Sequence, residues 1–311
     1  MSDEQQIFEH AAIIGPGLIG GSIARAAQET DAVGRITGYD KDERITARAL
    51  ELGVIDDAAS DIASAVGAAD LIVIATPVGA ASDVFAQLKG AAAPGAVIID
   101  VGSVKKSVCD AAANLRDDLY FVPCHPVAGT EQSGPDAGFA KLFEDRWCII
   151  TPPPRDDAPY RKALQKVERL WAAFGAHVEV MDADHHDLAL AVTSHLPHLI
   201  AFTLVGAADD VESVAQAEVI KYSAGGFRDF TRIAASDPIM WRDVFLNNKD
   251  AILEVLGRFS EELSLMQRAI RWGDGEALEK AFARGRSLRR AIVDAGQETA
   301  APNFGRDEEG H

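Results

Sequence analysis

The sequence predicts an α/β fold: an N-terminal Rossmann-type, doubly wound parallel sheet followed by an all-α C-terminal domain. Three observations carry this. Short, nearly continuous apolar runs alternate with helical stretches from residue 7 to 182, as strands covered on both faces do. A G-x-G-x-x-G turn, Gly15 to Gly20, joins the first apolar run to the first helical stretch. After Met181 the strand signal stops and apolar residues recur at helical spacing.

The elements follow in order. Strands are expected at 11–14, 35–39, 71–75, 97–100, 120–124, 147–151 and 177–181. Helical stretches lie between them at 18–29, 42–52, 78–89, 104–115 and 158–173. Beyond Met181, helices are expected at 184–205, 209–224, 239–256, 257–272 and 275–295. The chain therefore divides into a dinucleotide-binding domain (1–182), a helical substrate and dimerisation domain (183–297) and a polar, frayed tail (298–311). The helical domain has much apolar surface for its size, which suggests a homodimer formed through it.

Composition narrows the function classes. Of 311 residues, 48% are hydrophobic and 25% charged, so the chain is neither disordered, collagen-like nor a coiled coil. A net charge of −18 repels polyanions, and no basic block offsets it, so no nucleic-acid partner is expected. No unbroken apolar run approaches the ~20 residues of a membrane helix, and Met1 to Glu4 carries no basic leader. No membrane partner is expected. Cys109, Cys124 and Cys148 are odd in number and widely spaced, which suggests reduced thiols in a cytoplasmic protein.

The glycine turn defines a cofactor site. Gly15 permits the tight turn, Gly17 lets a pyrophosphate approach the backbone, and Gly20 lets helix and strand pack closely. Leu18 and Ile19, between the last two glycines, open the helix whose N-terminus faces the phosphates. Asp40 ends the second strand, where a carboxylate accepts from the ribose hydroxyls and repels a 2′-phosphate. NAD is thus favoured over NADP, with the nearby Arg44 as the competing signal. Thr76 and Pro77, after the strand at 71–75, border the nicotinamide half across the switch point.

Polar residues also gather in DVGSVK (100–105), HPVAGTE (125–131), TSHLPH (193–198) and GFRDFTRIAASDPIMWRD (226–243). With GPGLIGGS (15–22) and ATPV (75–78), and in this order, they resemble the prephenate/arogenate (cyclohexadienyl) dehydrogenase family of tyrosine biosynthesis, from about residue 11 to 295. The resemblance implies NAD-dependent oxidative decarboxylation of prephenate to 4-hydroxyphenylpyruvate, with arogenate as the alternative substrate. It makes His125 the catalytic histidine that takes the 4-hydroxyl proton, and Ser103 the serine that orients hydroxyl and histidine beside the cofactor. It assigns Arg232 to the ring carboxylate and His198, with His195 one turn away, to the side-chain end. Thr130 and Glu131 line the pocket, and Arg228 reaches towards a neighbouring subunit.

Other readings stay open at this stage. Ser103 by type is equally a helix N-cap for 104–115. Trp241 suits packing better than contact. His185, His186, Asp187, His195 and His198 could suggest a metal, but no metal-site motif completes the set and hydride chemistry needs none. A thiol nucleophile at Cys124 is disfavoured because adjacent strand residues face opposite ways. A β-hydroxyacid-type dehydrogenase would use a helical lysine, for which Lys221 and Lys249 lack context, and a silent NAD-binding sensor would not need His125, Ser103 and Arg232 together.

Overall fold

The computed structural model describes residues 6–130, 132–209 and 225–294. Its first part alternates strand and helix: β1 (Phe8–Ile14), α1 (Leu18–Glu29), β2 (Val33–Tyr39), α2 (Glu43–Glu51), β3 (Asp57–Ala58), α3 (Ile62–Val66), β4 (Leu71–Ile74), α4 (Ala81–Ala91), β5 (Val97–Asp100), α5 (Lys106–Ala112) and β6 (Tyr120–Phe121). These strands form one parallel sheet in the order β3-β2-β1-β4-β5-β6. The short β3 and α3 had no clear sequence signal.

Residues alternate between the two faces of the sheet. Ile13, Leu71, Val73 and Ile99 pack with α1 residues Ile23, Ala24 and Ala27, and with Phe143 and Trp171. Ala12, Ile14, Ile72, Ile74 and Ile98 pack on the opposite face with Val66, Val84, Phe85 and Leu88. Both faces are covered, which explains the unbroken apolar strands. Ile14 pairs with Tyr39 and Ile74, and Ile74 with Asp100. The segments leading to Gly15, Asp40, Thr76 and Ser103 therefore leave the sheet at one edge. The order reverses between β1 and β4, and ligands of open α/β sheets bind at such an edge.

The strand expected at 120–124 is split. Pro123 has no N–H to continue the ladder. The chain leaves the first sheet after Val122 donates to the Ile98 carbonyl, and enters a second sheet of β7 (Cys124–Pro126), β8 (Trp147–Ile150) and β9 (His177–Val180). There β7 runs antiparallel and β9 parallel to β8. Between β8 and β9, α6 (Ala158–Ala173) is capped by Asp157 and buries Tyr160, Val167, Leu170 and Trp171.

The later region is helical: α7 (Ala183–Leu190), a π turn (Ala191–His195), α8 (Leu196–Asp209), α9 (Gly225–Thr231), a 3-10 turn (Arg232–Ala235), α10 (Pro238–Asn247), α11 (Lys249–Trp272) and α12 (Gly275–Asp294). The single helix expected at 184–205 is interrupted. Pro197 cannot donate to the carbonyl four residues back, and Leu196 N–H bonds instead to Ala191. The break expected at 256/257 lies instead at Asn248, and α11 runs through Gly257. The helix expected at 209–224 falls, beyond residue 209, outside the described residues, as does the tail 298–311.

The chain forms two compact units, Met1–Leu253 and Glu254–His311. The run Ala183–Ala208, mean hydropathy 1.7, is long and apolar enough to cross a membrane by length and composition alone. His, Asp, Thr and Ser interrupt it, so it contains no long unbroken apolar run. Core helices of soluble folds meet the same test. In this run 28% of the apolar window is buried, and the buried His186, Asp187 and His195 are bonded within the protein.

Candidate active site

The glycine turn behaves as its spacing predicts. Gly15 has φ +91°, and a Cβ there would meet the Ala75 carbonyl oxygen at 2.7 Å. A Cβ on Gly20 would meet the Gly15 oxygen at 2.3 Å, whereas one on Gly17 would meet nothing within 4 Å. Open space thus lies beside Gly17, the N-cap of α1, where no side chain caps the helix and Leu18 begins it. An anionic group suits this position. Asp40 is half-buried past β2; its N–H donates to Thr46 Oγ1 and its Oδ1 accepts from Asp42 N–H. Arg44 is tied to Asp42 through Nε and Nη2, 2.9 and 2.7 Å. Thr76 Oγ1 is buried with no hydrogen-bond partner among the described residues, an unpaired group that a bound molecule would satisfy. Thr76 and Pro77 line a small crevice with Asp100 and Gly102. These residues fit a dinucleotide.

His125 stands on β7 opposite Ile149, buried. Its neighbour Cys124 faces the core and donates its thiol to the Val122 carbonyl, away from the imidazole. His125 Nδ1 lies 2.8 Å from His186 Nε2, and His186 Nδ1 lies 2.8 Å from Asp187 Oδ1. Asp187 also accepts from the N–H groups of Lys105 (2.8 Å) and Lys106 (2.9 Å), so it caps α5. The N-cap reading of Ser103 is thereby corrected: α5 begins at Lys106, three residues later, and its N-terminus takes its carboxylate from α7. Ser103 is left on the loop, beside the His195 ring, which its backbone approaches.

A buried ion pair supports this corner. Lys105 Nζ bonds to Asp100 Oδ2 and to the Cys124 carbonyl, 2.6 Å. Asp100 in turn accepts from Gly102 N–H (3.0 Å) and Cys124 N–H (3.3 Å). Lys105 thereby fixes the start of β7, and with it the His125 backbone. Burial raises the proton affinity of Asp100, and the Lys105 charge opposes the rise.

The helical segment adds the other candidates. Asn248 Nδ2 donates to the Asp187 carbonyl (2.8 Å) and to His195 Nδ1 (3.1 Å). His198 Nδ1 bonds to the Ser194 carbonyl at 2.8 Å, and its ring stacks on Trp241 with centroids 3.7 Å apart. Trp241 packs with Val104, Val244, Val78 and Phe202, so it is packing that also holds His198. The Arg232 charge lies close enough to His198 to affect its titration. Arg228 instead lies exposed and paired with its neighbour Asp229. Thr130 Oγ1 accepts from Gln132 N–H, and Glu131 lies outside the described residues.

Their surroundings favour the neutral form of His125, His186, His195 and His198. Burial, with His186, Lys105 and His195 around it, pulls His125 well below the usual imidazole range. Burial also lowers His186 against the pull of Asp187, and takes His195 down to about 4. His198 falls through burial, with Arg232 adding and the Ser194 carbonyl opposing. Among the described residues, no three His, Cys, Asp or Glu are grouped to hold a metal. His125, Ser103, His195, His198 and Arg232 come together across β5, β7 and the helical segment. The sequence singled out Asp100, Lys105, His186 and Asp187 but gave them no supporting role, and Asn248 was missed altogether. One signal was available: His186 and Asp187 interrupt an apolar helical run, and buried polar groups need partners.

Two family models match: prephenate dehydrogenase, nucleotide-binding domain, over residues 23–180, and prephenate dehydrogenase, dimerization domain, over residues 182–284. The chain belongs to the prephenate dehydrogenase family. Relatives in the family include a cyclohexadienyl dehydrogenase of Zymomonas mobilis, 41% identical over 92% of this chain and 97% of that protein. A Bacillus subtilis prephenate dehydrogenase is 36% identical over 96% of this chain and 80% of its own length. The solved prephenate dehydrogenase of Aquifex aeolicus, in complex with hydroxyphenyl propionate and NAD+, is 34% identical with a TM-score of 0.81, covering 92% of this chain and 98% of that one. The glycine turn precedes the first matched region, so its assignment rests on its own geometry.

Proposed function

We propose that this chain is an NAD-dependent dehydrogenase that converts prephenate to 4-hydroxyphenylpyruvate in tyrosine biosynthesis, with arogenate as the competing substrate. The observation that carries this is the buried His125 on β7, its ring held by His186 with His195 nearby, in a chain that also carries the glycine turn. Bound NAD+ supplies the hydride acceptor for the ring carbon that carries the hydroxyl. His125 takes the hydroxyl proton as the hydride leaves, which suits a neutral imidazole, and returns it to the same oxygen when loss of CO₂ makes the ring aromatic. Ser103 orients the hydroxyl and the imidazole. Arg232 holds the ring carboxylate through its forked guanidinium until the carboxylate leaves as CO₂, and His198 and His195 face the side-chain end. Thr130 and Glu131 line the pocket rim.

The cofactor set is Gly15, Gly17, Leu18, Ile19, Gly20, Asp40, Thr76, Pro77 and Ser103. The link between Arg44 and Asp42 supports NAD over NADP, because it holds that guanidinium on another carboxylate. We assign residues 183–297 to substrate binding and homodimerisation, with Arg228 reaching the partner's site. Exposed Leu188, Val192, Leu204 and Val205 support an apolar interface. Three free thiols support a reducing, cytoplasmic setting.

The test is NADH and CO₂ formation from prephenate and from arogenate, with NAD+ and with NADP+. Turnover with prephenate and NAD+ is expected. No turnover with either substrate and either cofactor would refute the assignment, and a strong arogenate preference would change the substrate.

A further inference from the structure

Resting on the reading of His125 as the base, we propose that His186 and Asp187 are positioning residues that set the tautomer of His125. They keep its proton on Nδ1 and leave Nε2 as the nitrogen that accepts the substrate proton.

Backbone N–H groups can only donate. Lys105 N–H and Lys106 N–H point at Oδ1 and Oδ2 of Asp187, so both oxygens accept, as a carboxylate does at a helix N-terminus. His186 Nδ1, 2.8 Å from Oδ1, must then donate. A neutral imidazole carries one N–H, so His186 Nε2 holds a lone pair. His125 Nδ1, 2.8 Å from it, must donate in turn. Neutral His125 then has its only N–H on Nδ1.

The other protonation pattern is disfavoured. If His186 carried two protons, it would donate to His125 Nδ1 and move the His125 proton to Nε2, which abolishes the base. His186 is fully buried, and burial resists that second proton. The chain is held at both ends: Lys105 bonds the carbonyl of Cys124, next to His125, and Asn248 bonds the carbonyl of Asp187. Asp187 thus does two jobs with one carboxylate, capping α5 and fixing a tautomer two imidazoles away.

Two substitutions separate this role from mere packing. His186→Gln keeps an acceptor for His125 Nδ1–H and a donor for Asp187. His186→Leu keeps bulk but offers neither. For His186→Leu, kcat should fall by ~10²–10⁴-fold, the range that a misplaced histidine tautomer costs, with the KM for prephenate within a few-fold of wild type. His186→Gln should stay within ~10-fold of wild-type kcat, since it leaves His125 as the general base. Histidine nitrogen shifts, read by long-range proton–nitrogen NMR on the full-length wild type without substrate, should show His125 neutral and protonated on Nδ1.

A wild-type His125 protonated on Nε2 would overturn the proposal, whether or not His186→Leu folds. So would wild-type kcat in folded His186→Leu, or a folded His186→Gln as slow as His186→Leu. Absence of wild-type turnover would instead refute the proposed reaction, and the NMR result would still decide the tautomer.

Discussion

At the scale of single residues, burial decides how the histidines behave. His125 sits well below the usual imidazole value of about 6.5, so it stays neutral and basic through mildly acidic solution. The acid limb of kcat/KM should therefore fall below about pH 6.5, and a limb centred at or above that pH would show an unburied base. Stability follows the same logic. His195 titrates at about 4 when folded, against about 6.5 unfolded. As pH falls, the unfolded chain binds this proton first. Stability from His195 is therefore complete above about pH 6.5 and is lost progressively towards about pH 4, by an amount on the order of 2–3 kcal/mol. Thermal melts from neutral pH to pH 4 should show this loss, with a shallower slope in His195→Asn.

The glycines of the turn give a sharper contrast. A Cβ on Gly17 enters open space, while a Cβ on Gly20 meets the Gly15 carbonyl at 2.3 Å. Gly17→Ala should melt like wild type and bind NADH weakly in a fluorescence titration. Gly20→Ala should be destabilised by ~1–3 kcal/mol, as overpacking is. Equal melting of the two variants would contradict this difference.

At the scale of elements, what was legible was local. The glycine turn and the alternating strands were readable because their signals lie within a few residues of one another. The split at Pro123 was also written in the sequence, but which sheet Cys124–Pro126 joins depends on β8, more than twenty residues away. The α5 cap was misread for the same reason. Ser103 has the right chemistry near the right place, yet the cap comes from Asp187, 82 residues from Lys105. Asp187→Ala should remove both the cap and the acceptor of His186. A cost of about 1 kcal/mol in stability is expected from the cap alone, measurable by denaturant melts. A much larger activity loss than His195→Asn should accompany it.

The interruption at Pro197 links element to site. A regular helix through 184–205 would bring His195 round on a different phase from the one observed. The π turn adds a residue before Pro197, and His195 and His198 then both lie beside Trp241. Periodicity placed a helix here, but it could not show how the proline would be accommodated.

At the scale of the whole molecule, the proposed homodimer rests on apolar surface that one chain leaves open. Within the unit Glu254–His311, Leu263, Ile270, Trp272, Phe282 and Leu288 are exposed on α11 and α12, Trp272 at 77%. Clusters of exposed large apolar side chains mark interaction sites. Light scattering should give a dimer mass, and Trp272→Asp with Phe282→Asp should lower it or cause aggregation. A wild-type monomer at working concentration would contradict the dimer.

The proposed reaction depends above all on His125 as the base of a dehydrogenase acting on a cyclohexadiene. Its most direct test is NADH formation with saturating prephenate and NAD+, comparing wild type with His125→Asn after confirming that both bind NADH equally. The variant should lose ~10²-fold or more in kcat with NADH binding unchanged. A variant that turns over at the wild-type rate would contradict it.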